Sequence, residues 1–360
     1  MGSVAASERR QTETKLSPQP VNRPGTSMLR RAQREGRRYL NPIPTTVGEW
    51  STIRKVLPLY FSNKEEKFPS KPLGPFRTNT SIFESAPTSG LRVTWMGHSS
   101  LLVEIDGLRV LMDPVWDQRA SPMRWAGPRR FFPAPLKLEE LPEIDIVLVS
   151  HDHYDHLGES TIRTLASLRS MKDTQWVTSL GVGEILEQYG VKRRSITELD
   201  WTQSVGDVSL EITALPARHF SGRKMFNRFE TLWSSYVLKG PQHKIYFGAD
   251  SGWWPGYEEI GAEYGPFDLT MLEIGAFNEL WEAIHLGPDN AVRAFEEMGA
   301  KGLLMPIHWG LFDLALHAWR QPIERLVELA DEKQIALWYP EPGRPTEVEK
   351  GVELRTDWWR

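Results

Sequence analysis

The chain of 360 residues contains no cysteine. This absence excludes disulfide bonds and thiolate ligands, so any metal ion must be held by His, Asp or Glu side chains. The sequence also lacks an uncharged apolar run of about 20 residues, the length that crosses a membrane as a helix. Its N-terminus lacks the apolar centre of a signal peptide. We therefore expect a cytoplasmic protein without a signal peptide or a transmembrane segment.

Neither sign of charge dominates, because 43 Lys and Arg residues stand against 47 Asp and Glu residues. We expect no nucleic-acid partner. Residues 1–40 differ from the rest, with nine Lys or Arg against three Asp or Glu and few apolar residues. We predict that they form a disordered basic tail, which is either a solvated arm or a contact with anionic lipid head groups.

Proline and aromatic residues punctuate residues 41–90, which we interpret as an extension in front of the main domain. Residues 50–61 (WSTIRKVLPLYF) are predicted to form a short amphipathic helix. Its apolar side either packs on the body of the protein or lies in a membrane interface. The main domain is predicted over residues 91–345, and residues 346–360 are predicted to be a C-terminal tail.

Short strand and helix patterns alternate through the main domain. It begins with three strands joined by tight turns, LRVTWMG, SLLVEI and LRVLMD, with Asp106-Gly107 as a hairpin signal. Helices are predicted near residues 160–169, 183–189, 289–298 and 321–333, and a last strand near 335–339. Strand runs and helices in both halves indicate an α/β (α+β) protein with two αβ layers stacked sheet to sheet.

Histidine is scarce, yet three of the nine histidines fall in the stretch HDHYDH at residues 151–156. The apolar run at residues 144–150 predicts a buried strand, so this cluster begins where the strand ends. Imidazole and carboxylate groups are ligands for zinc and neighbouring transition metals. The alternative is a polar loop that happens to be rich in histidine.

Four more residues of the same chemical types lie at the ends of predicted strands or just before a helix. His219 follows VSLEITALPA, Asp250 ends KIYFGAD, His308 follows LLMPI, and His285 precedes a helix. Loops at the carboxyl ends of strands collect site residues in layered α/β folds. The joint arrangement therefore predicts one metal site, whereas a single histidine after a strand would more often be structural.

This arrangement resembles the metallo-β-lactamase superfamily over residues 91–340. The resemblance implies a four-layered αβ/βα sandwich with a dinuclear metal site between its sheets. It implies that the first ion is bound by His151, His153 and His219. It implies that the second ion is bound by Asp155, His156 and His308, with Asp250 bridging both. Such donors suit two Zn²⁺ ions, and other divalent transition metals also accept them.

Three further residues complete the predicted site. His98, in the sequence GHSS, either faces the site or caps a strand turn, and His285 is expected to touch the substrate. With Asp250 they form the predicted catalytic set. Asp113 is expected either to orient a ligand imidazole through its free N–H or to act as a turn residue before Pro114.

The other polar candidates receive smaller roles. Asp152 and Tyr154 are interpreted as spacers within HDHYDH, and His243 and His317 as surface residues. Two arginines either meet a substrate phosphate or form a solvated pair, namely Arg129 and Arg130.

A finer resemblance is to the N-acyl-phosphatidylethanolamine-hydrolysing phospholipase D family, over residues 40–340. The motifs that carry it are LRVTWMGHSS, LMDPVWDQRASP with GPRRF, LPEIDIVLVSHDHYDHL, ELDW, FGADSG, GAEYGPFDLTMLEIGA and PIHWGLFDLA. The resemblance implies release of N-acylethanolamine and phosphatidic acid through attack of a metal-bridging hydroxide on phosphorus. It also places the segment between Ile274 and His285 at the substrate entrance.

The implied partner is a phospholipid, and the count of 15 tryptophans is compatible with peripheral contact with a membrane. The sequence leaves a homodimer open. Two other functions also remain open. One is a lactonase, esterase or lactamase-like metallohydrolase with the same ligands, and the other is a non-catalytic metal-binding scaffold.

Overall fold

The structure is a computed structural model that describes residues 19–20, 27–48, 54, 58–59, 62, 64–224, 227–349 and 355–360. Of the predicted amphipathic stretch at residues 50–61 it describes Arg54, Pro58 and Leu59, each in helical conformation. The remainder of that stretch, and with it the predicted apolar side, lies outside the described residues.

Strands and helices alternate along the described chain. The strands are β1 (Gln19–Pro20), β2 (Arg34–Glu35), β3 (Arg38–Tyr39), β4 (Leu91–Gly97), β5 (Ser100–Ile105), β6 (Leu108–Met112), β7 (Ile146–Val149), β8 (Gln175–Ser179), β9 (Ile196–Leu199), β10 (Gln203–Gly206), β11 (Glu211–Leu215), β12 (Ser235–Lys239), β13 (Lys244–Phe247), β14 (Leu269–Glu273), β15 (Leu303–Ile307) and β16 (Thr346–Glu347). The α-helices are α1 (Glu159–Ser167), α2 (Val182–Gln188), α3 (Gly256–Tyr264), α4 (Gly287–Glu297) and α5 (Gln321–Lys333).

Two seven-stranded sheets form the body. One has the order β16-β4-β5-β6-β7-β8-β9 and the other the order β1-β10-β11-β12-β13-β14-β15. Each sheet passes from antiparallel strands to parallel strands, at β6–β7 in the first sheet and at β13–β14 in the second. Helices connect most of the parallel strands, as α1 connects β7 to β8, because a parallel pair needs a long crossover.

The alternation of side chains along each strand separates two apolar faces. On β7, Leu148 points between the sheets, whereas Val147 and Val149 pack in a cluster with Ile162 of α1. Helices α3 to α5 contribute to the core on the far side of the other sheet, for example through Ile260. The protein is therefore the four-layered αβ/βα sandwich that the sequence indicated.

Two local predictions have different outcomes. Asp106 and Gly107 both have positive φ, +49° and +90°, in a two-residue turn between β5 and β6, which confirms the hairpin signal. The strand predicted near residues 335–339 is wrong. Two isolated bridges replace it, from Leu337 to Leu304 and from Tyr339 to Arg355.

Described residues in both predicted tails pack on the body of the protein. Within residues 1–40, Leu29 is fully buried, and the carboxylate of Glu259 in α3 accepts hydrogen bonds from the Met28 amide. Within residues 346–360, β16 pairs with β4 and Trp359 is buried. Apolar side chains in these segments find partners that are distant along the chain. Disorder was predicted only for residues 1–40, and it does not hold for residues 27–40, which the structure describes.

Among the helices of the described residues, none has both the length and the apolar character required to cross a lipid bilayer.

Candidate metal centre

The ends of four strands bring the predicted ligands together. The HDHYDH loop follows β7, His219 follows β11, Asp250 follows β13, and His308 directly follows β15. Their donor atoms form two neighbouring groups, each with all donor atoms within 4.8 Å of one another. All seven predicted ligands belong to these groups. The structure thus gathers side chains that are separated by as many as 157 positions in the sequence, from His151 to His308.

The first group contains three imidazoles and one carboxylate. His151 Nε2 and His219 Nε2 lie 2.9 Å and 3.3 Å from His153 Nδ1. Asp250 Oδ2 is 3.6 Å from His219 Nε2. Two nitrogens that bind one zinc ion tetrahedrally at about 2.0–2.1 Å are themselves about 3.3 Å apart. The spacing of the imidazoles therefore fits a single ion between them.

The protonation of these imidazoles also favours a metal ion. Burial lowers the pKa of His151, His153 and His219, so each ring is neutral and offers a lone pair. His219 Nδ1 donates to the Ile284 carbonyl at 2.9 Å, and His151 Nδ1 lies 2.9 Å from Ser150 Oγ. These contacts fix the rings and leave each Nε2 directed at the centre of the group.

The second group is built around Asp155. Its Oδ2 lies 3.0 Å from His98 Nε2, 3.2 Å from His308 Nε2 and 3.6 Å from His156 Nε2. Asp250 reaches this group as well, with Oδ1 3.1 Å from His156 Nε2 and Oδ2 3.0 Å from His308 Nε2. One carboxylate therefore touches ligand candidates of both groups, which is the geometry of a bridging ligand.

Two buried atoms show that this group suits a cation. His156 Nε2 and Asp250 Oδ1 lie 3.1 Å apart, yet neither makes a hydrogen bond of good geometry with any residue in the described part of the chain. Burial alone would lower the pKa of His308, but Asp250 and Asp155 outweigh it and raise the pKa to about 10. Burial alone would raise the pKa of Asp250, but the imidazoles of His156 and His308 hold it well below its usual range. The carboxylates thus concentrate negative charge that a divalent ion would neutralise.

Asp113 lies beneath both groups. It is fully buried, and its Oδ2 accepts from His156 Nδ1 at 2.7 Å and from Ser150 Oγ at 2.6 Å. Ser150 Oγ in turn contacts His151 Nδ1. One carboxylate therefore orients an imidazole of each group, directly or through a hydroxyl. Asp113 also has a positive φ of +38°, so its position is compatible with both alternatives, a turn residue and a residue that orients an imidazole.

His98 faces the site from the turn between β4 and β5. Its Nε2 contacts Asp155 Oδ2, its ring lies 4.0 Å from the His308 ring, and burial lowers its pKa to about 3. Its carbonyl accepts a hydrogen bond from the His308 amide, and both residues have positive φ, +55° and +61°. Strained backbone of this kind persists where surrounding contacts hold it.

The sequence-based reasoning missed Glu273, the last residue of β14. It is fully buried and accepts from the Ser251 amide at 2.6 Å. It lies 2.7 Å from His285 Nδ1 and 3.7 Å from His308 Nδ1. Burial raises the pKa of Glu273. The available signal was an acidic residue at the end of the apolar strand LTMLE, close to the carboxyl end of a strand as Asp250 is after β13.

This centre can be compared with known proteins. The family model described as "Beta-lactamase superfamily domain" matches residues 108–309, which is more than half of the chain. The chain belongs to the metallo-β-lactamase superfamily, a superfamily of metal-dependent hydrolases. Its His and Asp groups are able to bind metal.

Similar sequences give a narrower grouping. An uncharacterised protein of Mycobacterium tuberculosis is 44% identical over 293 residues, which cover 81% of this chain and 77% of that protein. The N-acyl-phosphatidylethanolamine-hydrolyzing phospholipase D 1 of Caenorhabditis elegans is 35% identical, over 68% of this chain and 71% of that protein. The chain is therefore a member of the N-acyl-phosphatidylethanolamine-hydrolysing phospholipase D family.

Among solved structures, an isothiocyanate hydrolase from gut bacteria of Delia radicum has the same fold. Its TM-score is 0.56 at 20% identity, and the match covers 71% of this chain and 97% of that one.

In this metallo-β-lactamase family member, a cleft of about 710 Å³ ends on the candidate metal centre. Its innermost wall contains donors of both groups, namely His153, Asp155, Asp250 and His308. Residues between Ala276 and His285 form one side of the cleft, and Thr46 to Gly48 contribute to the lining as well. His285 lines the cleft, with its ring 5.1 Å from that of His219.

The remaining candidates lie outside the two metal groups. Asp152 accepts a hydrogen bond from the Gly222 amide, and the Tyr154 hydroxyl donates to the Arg223 carbonyl, so both are spacers. Of the two arginines, Arg129 is exposed, whereas Arg130 is buried and donates to the Phe132 carbonyl.

Two histidines were expected at the surface. His243 is half-buried and lies 2.7 Å from Asp106 Oδ1. The expectation is wrong for His317, whose ring stacks on Phe277 at 4.8 Å and whose pKa falls to about 4 because of burial.

Proposed function

We propose that the protein is a dinuclear zinc phosphodiesterase that hydrolyses N-acyl-phosphatidylethanolamine to N-acylethanolamine and phosphatidic acid. The observation that carries the proposal is the cleft, which joins a largely apolar lining to the metal-ligand groups. The name of the relative from Caenorhabditis elegans supports the same substrate.

The lining of the cleft suits a lipid. Its apolar members are Val47, Phe220, Ala276, Leu280, Trp281, Ala283, Ile284 and Leu314. The volume of about 710 Å³ falls in the usual range for sites that enclose small ligands, so it holds the head group and the first part of the acyl chains. Acyl carbons gain free energy from this burial, about 0.8 kcal/mol for each CH₂ group.

The polar end supplies the chemistry. We propose seven ligands for the two ions, namely His151, His153, Asp155, His156, His219, Asp250 and His308. Two bound divalent ions would activate water near neutral pH and stabilise charge on the phosphoryl oxygens. Asp113 and Ser150 hold the ligand imidazoles in their tautomers. Glu273 holds His285 Nδ1, which leaves Nε2 of that ring to contact the substrate.

The substrate is part of a membrane, and one loop is suited to touch it. Residues 118–130 form a closed loop. The Arg130 amide donates a hydrogen bond to the Gln118 carbonyl, and an isolated antiparallel β-bridge joins the backbones of Arg119 and Arg129. At its tip Trp125 is 78% exposed and Met123 is 43% exposed, with Arg124 exposed between them. No acidic residue lies between positions 118 and 130.

We propose that this loop makes the peripheral contact with a bilayer. Tryptophan prefers the interface, and each arginine near an anionic surface contributes about 1 kcal/mol. In sedimentation with vesicles that contain phosphatidylglycerol, Trp125→Ala should weaken binding. Val208→Ala shortens an apolar side chain that is 90% exposed at the turn before β11, and it should not weaken binding. Equal binding of both variants would contradict the contact.

An assay of the purified zinc-loaded protein tests the proposed reaction. N-acyl-phosphatidylethanolamine, a lactone panel and simple carbon esters are offered side by side, and products are identified by mass spectrometry. Release of phosphatidic acid that is lost in His219→Ala supports the proposal. Turnover of lactones without release of phosphatidic acid would identify a carbon-ester hydrolase. Metal binding without any turnover would indicate a scaffold.

A further inference from the structure

One positively charged side chain, that of Arg228, lies in the cleft and forms no ion pair with any residue that the structure describes. Arg228 is the only Lys or Arg among the described residues that line the cleft. No ion pair or hydrogen bond joins its guanidinium to another side chain in the described part of the protein. Its neighbours are Gly48, where a Cβ would collide with the guanidinium, and the ring of Phe220, whose centroid is 5.7 Å from Arg228 Cζ.

Phe220 links this charge to the metal centre. The Phe220 ring packs on the ring of His153, with 4.5 Å between centroids, and on that of His219, with 4.8 Å. Arg228 Cζ lies 5.7 Å from the Phe220 centroid, which itself lies 4.5 Å from the His153 centroid. The guanidinium is therefore at most about 10 Å from the His153 imidazole. The arginine therefore lies beside the first group of ligands, within the length of a phospholipid head group.

Its other surroundings in the cleft are acidic. Glu279 and Glu282 line the cleft, and Asp155 and Asp250 lie at its inner end. A cleft with four carboxylates would repel an anionic substrate until metal ions and a further cation offset them. A guanidinium that forms no ion pair with the described residues presents several N–H donors in a planar fork, which suits phosphate oxygens.

We infer that Arg228 forms an anion-binding subsite that selects phosphodiesters over neutral esters. It would donate hydrogen bonds to oxygen atoms of the phosphate in the substrate and in the phosphomonoester product. This inference rests on the proposed phosphodiesterase function and extends it, because the metal groups alone would serve a neutral carbon ester equally well. Selection of the charged substrate then lies with a residue that contacts no metal.

The two products of the proposed reaction provide a test, because phosphatidic acid is anionic and N-acylethanolamine is neutral. Inhibition constants for short-chain phosphatidic acid, inorganic phosphate and N-acylethanolamine would be measured for the zinc-loaded wild type, Arg228→Gln and Arg228→Lys. Lys301→Gln is the matched control, since it removes an exposed positive charge just before β15, at the end of that strand opposite His308.

Loss of a charged hydrogen bond predicts that Arg228→Gln binds phosphatidic acid roughly 10- to 100-fold more weakly. Inhibition by N-acylethanolamine should change less than twofold, which a general distortion of the cleft would not allow. The inhibition constant of phosphatidic acid for Arg228→Lys should lie between those for the wild type and Arg228→Gln. The constant for Lys301→Gln should match that of the wild type.

Weaker inhibition by inorganic phosphate as well would show that the subsite recognises phosphate itself. An effect restricted to phosphatidic acid would show that it recognises the lipid head group. Unchanged inhibition by both anions, or equal weakening for N-acylethanolamine, would overturn the inference. In contrast, a wild-type protein that releases no phosphatidic acid from its substrate would overturn the proposed function, whatever Arg228→Gln does.

Discussion

Replacement of Asp113 by Asn tests the link between the buried carboxylate and metal binding. The change keeps the shape of the side chain but leaves one acceptor oxygen where the structure uses two. The carboxylate accepts from the Ser150 amide at 2.7 Å, from Ser150 Oγ at 2.6 Å and from His156 Nδ1 at 2.7 Å. An amide NH₂ group directed at His156 Nδ1 would force the ring proton onto Nε2, the nitrogen that faces Asp155 and Asp250 and is proposed to bind metal.

The expected magnitude follows from these contacts. Loss of an outer partner of a metal-binding imidazole lowers metal affinity about 10- to 100-fold, or about 1.4–2.8 kcal/mol. His156 loses its partner directly, and His151 is affected through Ser150, so both proposed ions should bind more weakly. The assay is a zinc titration against a chromogenic chelator, with elemental analysis of the zinc that remains after dialysis.

Asp106→Asn supplies the matched control. Asp106 also accepts three hydrogen bonds, from the amides of Gln242 and His243 and from the ring of His243, but it belongs to neither metal group. This variant should retain the zinc affinity of the wild type. A zinc affinity of Asp113→Asn within twofold of the wild type, or an equal loss in Asp106→Asn, would refute the reasoning.

Four further outcomes are expected. Glu273→Gln should lower kcat while zinc content stays unchanged, because it releases the ring of His285; loss of zinc would contradict this. Leu148→Ala, between the sheets, should lower the free energy of unfolding by about 2–5 kcal/mol in urea titrations. Hydrogen bonds from His243 and nearby amides lower the pKa of Asp106, although burial opposes this. The free energy of unfolding of the wild type should therefore exceed that of Asp106→Asn above pH 3.8, and this difference should vanish as the pH falls through the lowered pKa. Chelation should abolish turnover, and added zinc should restore it.

The metal groups could be predicted from the sequence because their members obey a local rule. Each lies at or near the end of a strand, and the carboxyl ends of neighbouring strands meet at one edge. The bridging role proposed for Asp250 came from family resemblance, and the contacts of this residue to both groups support it. His98 remained ambiguous, because a histidine in a two-residue turn can satisfy the turn, the site or both.

Features that depend on distant partners could not be predicted. Ser27 Oγ donates to Glu259 across 232 positions, so the sequence near Ser27 contains no sign of its order. Helix α3 contains glycines that disfavour helix, yet Gly261 is needed because a Cβ there would collide with the backbone of Met298. Glu273 was missed because one acidic residue at the end of a strand does not stand out until its partner, His285, is seen beside it.

The most direct test of the proposed function is hydrolysis of N-acyl-phosphatidylethanolamine by the zinc-loaded protein in water enriched with ¹⁸O. Attack on phosphorus predicts that one ¹⁸O atom enters phosphatidic acid and none enters N-acylethanolamine. The same experiment with Asp250→Asn should give little product. Label in a free fatty acid, or in N-acylethanolamine in place of phosphatidic acid, would contradict the proposed phosphodiesterase.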